Sequence, residues 1–390
     1  MRLESIRYTE LENTDQKWTL EDLTLGLINL LVGKNATGKS RALKVIHSLA
    51  ELLRNDRRPS SWPNFDCSYC LGFDEEGKRL DYQLEIAGSG VRRESFRVNG
   101  KELLARGDQG EGEIWAEQID DGKMVRFQTP VNELAAVARQ DAIEHPFLAP
   151  LAEWARSLRL FYFGSPLGKD LLTVFIQRDA PPPRDDDMQA AVAVFHEASK
   201  TFGEEFKNRL IGDMGELGYP LDDISLDAPV SIRLAVPIPG DHRCLVAKES
   251  DLKGRTDQHA MSQGMFRALA ILIRLAHSRL SHGELCLLID DIGEGLDFER
   301  STRLIEVLRK WAKETGSQLI MSTNDRFVMN HVPLDEWSVL ERDGGRVRAL
   351  NSRNSNELFE DFRFTGLNNF SFLEMDFMSQ RPVKEVALRE

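Results

Sequence analysis

Hydrophobic residues along the chain fall into three different rhythms. Continuous apolar runs occur at Leu27-Ile28-Asn29-Leu30-Leu31-Val32, Leu160-Phe161-Tyr162-Phe163, Leu285-Cys286-Leu287-Leu288-Ile289 and Gln318 to Met321. Runs without alternation are buried on both faces, as strands of a parallel sheet are. Between about 65 and 130 the pattern alternates instead, at Leu71-Gly72-Phe73, Tyr82 to Ile86, Phe96-Arg97-Val98 and Val125-Arg126-Phe127. Asn99-Gly100 supplies a hairpin turn among them, so this stretch predicts an antiparallel subdomain. A helical period appears at Leu43, Ile46, Ala50 and Leu53, again at Met265, Leu269, Leu272 and Ala276, and again at Leu304, Leu308 and Trp311. Leu134 to Leu158 and Met188 to Met214 also read as helical, and Leu3 to Tyr8, Val230 to Val236 and Cys244 to Ala247 as strands.

These rhythms give an α/β fold in four parts: a mixed segment 1–165, a short helical insertion 166–228, a second mixed segment 229–350, and a phenylalanine-rich tail 351–390. A proline run followed by aspartates, Asp179 to Asp187, cannot continue a helix and predicts a loop or hinge. The insertion has no sustained heptads, so no long coiled coil is expected. The tail, Leu358 to Phe372, is expected to pack on its own core rather than to present a docking patch. No further domain is expected beyond it.

Composition narrows the class. With 390 residues and 41% hydrophobic content the chain can bury a large core. No apolar run is long enough to span a membrane, and Met1-Arg2-Leu3-Glu4 does not read as a secretory leader, so a cytoplasmic protein is expected. Four cysteines are too few for a disulfide scaffold, and Cys67-x-x-Cys70 lacks the second pair that a zinc site needs. A net charge of −13 argues against a surface that coats DNA and leaves only a confined groove for nucleic acid. Arg54, Arg57, Arg58, Arg92, Arg93 and Arg97 are read as solvated faces.

Chemistry enters between the first apolar run and the first helix. Gly33, Lys34, Asn35, Ala36, Thr37, Gly38, Lys39, Ser40 and Arg41 contain G-x-x-x-x-G-K-[ST] in full. Glycines let successive backbone N–H groups turn inward around a phosphate, the lysine reaches the β- and γ-phosphates, and the serine hydroxyl faces Mg²⁺. The helix that follows adds its N-terminal dipole. The carboxylate run ends in Asp290-Asp291, at the strand end where open α/β sheets bind ligands. Asp290 is expected in the Mg²⁺ shell opposite Ser40, and Asp291 as the group that orients the attacking water. Ser262-Gln263-Gly264 opens a helix shortly before that strand, with Ser262 as N-cap.

Together GKNATGKS, MSQGMFRAL, CLLIDDIGEGLD and QLIMSTND resemble the core of ABC-type ATPases, and more closely the RecF-, SMC- and OLD-like soluble branch. The resemblance covers the chain to about residue 55 and then roughly 255–330. It implies ATP and Mg²⁺ as ligands and a homodimer or higher homo-oligomer. Each nucleotide would lie between one copy's phosphate loop and the other copy's Ser262-Gln263-Gly264, with Asp297 communicating across the dimer. Three departures stand out. The usual catalytic glutamate is Asp291, with Glu294 next in line; the following proline is Ile292; the γ-phosphate-sensing histidine is Asn324. A shorter base and a neutral sensor imply slow hydrolysis. The glutamine of the family's Q-loop cannot be assigned to Gln83 or Gln140. The resemblance implies work beside a separate effector, a nuclease or toxin, in phage defence or DNA maintenance. Two other readings are an ATP-dependent dimerisation switch with negligible hydrolysis and the ATPase subunit of a transporter.

Overall fold

The computed structural model describes residues 1–61, 66–119, 122–175, 187–232, 241–281 and 283–375. A single fourteen-stranded sheet runs through the molecule. Five of its strands form a parallel block in the order Leu158–Tyr162, Cys286–Asp290, Gln318–Ser322, Ile28–Val32 and Trp337–Asp343. The hairpin partner Arg346–Leu350 then joins the block to Trp18–Thr24 and Arg2–Glu10. From there the sheet continues as an antiparallel meander from Cys67–Glu75 to Lys123–Gln128.

The parallel block explains why its strands read as continuous apolar runs. Leu30, Leu287, Ile289, Leu319 and Met321 face one core, while Leu31, Cys286, Leu288 and Ile320 face the other. Side chains of a strand alternate between faces, so burial on both sides removes the polar half of the pattern. Helix Lys39–Leu53 packs into the second core together with the meander. Helices Ala191–Glu216, Gln263–Leu280 and Phe298–Thr315 cover the first. The helix of the insertion therefore shares its core with the parallel block, and its backbone breaks from helical geometry at Gly203.

Several expectations are adjusted. Leu134 to Leu158 is not one helix: it divides into Ala135–Ala138 and Ala149–Ser157, and Pro146 and Pro150 stand in the first turns where helical structure restarts. Buried Glu94 holds the first piece in place, accepting hydrogen bonds from the Ala135 and Ala136 amides at 2.6 and 3.0 Å and from the Tyr82 hydroxyl at 2.9 Å. The insertion is accompanied by a small antiparallel sheet in which Asp241–Glu249 pairs with Leu221–Asp227 and Thr173–Phe175. Of the Val230–Val236 stretch, 233–236 lie outside the described residues, as does most of the proline–aspartate run. In the tail, Phe359 and Phe362 pack against Phe372 with ring centroids 5.1 and 4.9 Å apart, inside the first core. Phe364, 88% exposed, is the exception. Among the described residues no helix is long and apolar enough to cross a membrane.

Candidate functional site

Strand Ile28–Val32 delivers the chain into a loop whose backbone needs glycine. Gly33 has φ +152°, and a Cβ there would lie 2.6 Å from the Leu340 carbonyl oxygen; Gly38 has φ +103° and caps the helix from the left-handed region. Thr37 ties the loop to itself, its hydroxyl donating to the Lys34 carbonyl at 2.9 Å. Lys39 is 6% exposed, and its ammonium donates back to the carbonyls of Gly33 and Lys34 at 2.8 and 3.2 Å. Burial lowers its pKa, while the nearby carboxylates of Asp291 and Asp290 oppose that shift. The result is a cation held by carbonyls of the glycine loop at the start of a helix, which suits a bound polyphosphate.

Strand register brings the carboxylates to this loop. Ser40 Oγ donates to Asp290 Oδ1 at 2.9 Å across 250 positions of sequence. The same oxygen accepts a 2.5 Å hydrogen bond from the Ser322 hydroxyl, at the end of the intervening strand. Ser322 Oγ in turn accepts the Asp291 amide at 3.0 Å, so one hydroxyl links both aspartates. Asp291 leaves the strand with φ +55°, a left-handed conformation that is strained for a residue other than glycine. Asn324 Nδ2 donates to Asp291 Oδ1 at 3.2 Å. Burial, Asp290 and Glu294 raise the Asp291 pKa above the ordinary aspartate value, and Lys39 opposes the rise. A carboxylate with such a pKa beside an exposed amide side chain can accept a proton from water.

The Ser40 hydroxyl and the Asp290 carboxylate are hard oxygen donors meeting at one point, and no group of three or more His, Cys, Asp or Glu gathers among the described residues. Mg²⁺ bound by one carboxylate, one hydroxyl and phosphate oxygens fits this donor set better than a metal held in an all-protein cage.

Ser262, Gln263 and Gly264 lie at a separate turn. Ser262 is exposed and caps the eighteen-residue helix Gln263–Leu280, its Oγ accepting from the Met265 amide at 3.2 Å. Gly264 packs against its own chain: a Cβ there would lie 2.7 Å from the Gly295 carbonyl oxygen. Gln263 Nε2 is buried with no hydrogen-bond partner among the described residues. Asp297 caps helix Phe298–Thr315, accepting from the Arg300 amide at 3.0 Å, and that bond leads the causes that lower its pKa. Glu294 is exposed, and its carboxylate lies against Gly164. Arg41 turns away toward the meander side, pairing with Glu10 and stacking over Trp18.

Four side chains at or near the site carry no sequence expectation. Ser322 joins the two aspartates. Tyr162 pairs in register with Asp290 on the neighbouring parallel strand. Arg342 Nη1 donates to the Ala36 carbonyl at 3.0 Å, bracing the loop from the hairpin side, where a cavity of about 580 Å³ opens between the loop, Leu340 and Leu373. Arg267, one helical turn beyond Gly264, donates to the carbonyls of Ser165 at 3.0 Å, Glu294 at 2.8 Å and Gly164, tying its helix to the loops after both neighbouring strands. Only pairing register could have exposed Ser322 and Tyr162; for the two arginines the sequence carries no signal.

Comparison with known proteins follows the same lines. The family model described as "AAA domain, putative AbiEii toxin, Type IV TA system" matches residues 28–330. No curated protein matches the chain. Among solved structures, an SMC head bound to the C-winged helix domain of ScpA is similar at 15% identity and a TM-score of 0.51, over 90% of this chain and 98% of that one. An SMC head with an extended coiled coil from Pyrococcus furiosus, bound to the C-terminal domain of ScpA, reaches 14% identity and a TM-score of 0.48, over 93% and 99%. The SMC head of Thermotoga maritima reaches 12% and 0.44, over 90% and 99%. The likeness to the first is one of fold. The chain belongs to the AAA-domain family that carries the AbiEii description, with the fold of an ABC-type ATPase of the RecF- and SMC-like branch.

Proposed function

We propose that the chain binds Mg²⁺·ATP on residues 33–41 and hydrolyses it slowly. The observation that carries this reading is the direct Ser40–Asp290 hydrogen bond of 2.9 Å, with Asp291 and Asn324 beside it. Backbone amides of the loop and the Lys39 ammonium bind the β- and γ-phosphates. Ser40 and Asp290 hold Mg²⁺, which supplies charge neutralisation on the phosphates when bound. Asp291 accepts a proton from water as the water oxygen bonds the γ-phosphorus; the bond to the bridging oxygen breaks, and ADP and phosphate result. Asn324 holds the Asp291 carboxylate toward that water, and Glu294 is the acid next in reach. Steady-state phosphate release tests this directly: turnover that depends on both ATP and Mg²⁺ and stops with EDTA is expected, and none above blank would leave an ATP-dependent switch.

Dimerisation belongs to the same proposal. Exposed Ser262 at the N-terminus of an eighteen-residue helix supports this reading, because the helix end favours an anion there. A second copy's γ-phosphate would lie there, with Asp297 at the seam. In this reading the segments 1–165 and 229–350 form the ATPase core, 166–228 its insertion and 351–390 its tail. The family description supports a role in a toxin system, in which ATP-driven dimerisation gates a nuclease or toxin effector during phage defence.

A further inference from the structure

A second cavity opens at the opposite end of the strand that feeds the phosphate loop. It has a volume of about 410 Å³, and its lining includes Gly26 and Leu27, which precede strand Ile28–Val32. At about 3.3 Å per residue it lies roughly 20 Å from Gly33 along that strand, so it is no part of the ATP site. Three guanidiniums line it, those of Arg2, Arg79 and Arg353, against the single carboxylate of Glu4. Asp74 and Asp81 stand just behind the lining and pair with Arg2 and Arg79, so Arg353 is the lining arginine with no ion pair among the described residues. Leu25, Leu27 and Phe73 supply apolar wall, and Ser5 and Thr24 supply hydroxyls.

Two of the arginines carry donors without a partner among the described residues. Arg2 Nη2 reaches Glu4 at 3.3 Å and Asp74 at 3.8 Å, but its buried Nε has no hydrogen-bond partner. Arg79 pairs with Asp81 at 3.1 Å. The Arg353 guanidinium makes no hydrogen bond or ion pair among the described residues; burial and the neighbouring Arg2 lower its pKa, and the Glu4 carboxylate opposes that shift. Its position is built. Asn351 Oδ1 accepts the Arg353 amide at 3.0 Å, and Asn351 Nδ2 anchors that turn to Thr24 at 2.8 Å. The Arg353 guanidinium lies where a Cβ on Gly26 would be. Arg353 and Arg2 are solvent-accessible, so their donors face the cavity and can be reached by an oxyanion, and the buried Arg2 Nε is the one donor that water does not reach.

We propose that this cavity is a binding site for a small phosphorylated ligand, a phosphate monoester whose oxyanion is held by Arg353 and Arg2 and whose organic part lies on Leu25, Leu27 and Phe73. The planar fork of arginine matches a phosphate in two-bond fashion, and the volume suits a ligand of sugar-phosphate size. To test it, the full chain is saturated with Mg²⁺ and a non-hydrolysable ATP analogue, then titrated calorimetrically with inorganic phosphate and with ribose 5-phosphate. One further site per chain is expected, tighter for the ester, and weakened about tenfold or more by Arg353→Ala, the scale of one lost hydrogen bond to a charged group. Gly26→Ala, which displaces the guanidinium, gives the same direction. Hydrogen exchange on the wild type is expected to slow over 24–27 and 351–354 with the ester present. No second site, binding that ignores Arg353→Ala, protection confined to 33–41, or binding of single-stranded DNA without binding of the ester would each overturn the proposal.

Discussion

Replacing Ser322 by alanine tests the idea that one hydroxyl holds both acids of the site in place. The side chain is 0% exposed, donates to Asp290 Oδ1 at 2.5 Å and accepts from the Asp291 amide at 3.0 Å. A hydrogen bond to a charged group contributes about 1.5–3 kcal/mol and one to a neutral amide about 0.5–1.5 kcal/mol, so losing both costs roughly 2–4 kcal/mol. Asp291 is half-buried, so water can re-solvate its amide, which places the expected loss near the lower end. Denaturant unfolding of Ser322→Ala should therefore show a stability drop of about 2 kcal/mol. Turnover should fall further than stability implies. Asp291 keeps φ +55° with that bond as a support, and a displacement of about 1 Å at a reacting group can cost a hundredfold. A double-mutant cycle with Asp290→Asn should give a coupling of about 0.5–3 kcal/mol. A folded Ser322→Ala protein with wild-type stability and wild-type ATP turnover would refute the argument.

Further outcomes follow from the same geometry. Asp291→Asn removes the proton acceptor but keeps the size, so ATP binding should persist and hydrolysis should fall about a hundredfold or more; equal turnover would shift the role to Glu294. Ser262→Arg should leave ATP binding at residues 33–41 intact but abolish ATP-dependent dimerisation, measured by light scattering; a variant that dimerises and hydrolyses normally makes the turn an ordinary helix cap. The acidic limb of kcat/KM should lie above the ordinary aspartate range. Asp291 must be ionised to act, and its raised pKa means that protonation sets in at a higher pH as the solution is acidified. Glu294→Gln removes one of the causes and should move that limb to lower pH; no movement would count against Asp291 as the titrating group.

Much of the fold was legible because the parallel block writes its burial directly into sequence. Leu30 and Leu31 face different cores, and both sides of the strand are buried. The alternating stretch and Asn99-Gly100 identify the meander for the converse reason, since only one of its faces is buried on most strands. The helix expected across Leu134 to Leu158 ends at Ala138 and restarts at Pro146 and Ala149, where the prolines fit only a first turn whatever the apolar spacing. At the site, the loop and Asp290-Asp291 were legible as short motifs, whereas what joins them was not. Ser322 lies between them only because Gln318–Ser322 is the strand inserted between Cys286–Asp290 and Ile28–Val32. Tyr162 meets Asp290 through a pairing of segments more than a hundred residues apart. Arg342 and Arg267 bind carbonyl oxygens, and a carbonyl has no sequence identity to read. Gly264 belongs to the turn that the resemblance sets against a partner's nucleotide, and within the chain its missing side chain makes room for Gly295.

The central claim is that Lys39 and its loop bind the phosphates of ATP. Its most direct test is calorimetric titration of Mg²⁺·ATP into the wild type and into Lys39→Ala. Among the described residues the lysine donates to loop carbonyls alone, at 2.8 and 3.2 Å. The account predicts a Lys39→Ala protein with near-native thermal stability whose ATP affinity falls at least tenfold, the scale of one charge-assisted contact. A folded Lys39→Ala protein that binds Mg²⁺·ATP as tightly as the wild type would contradict it.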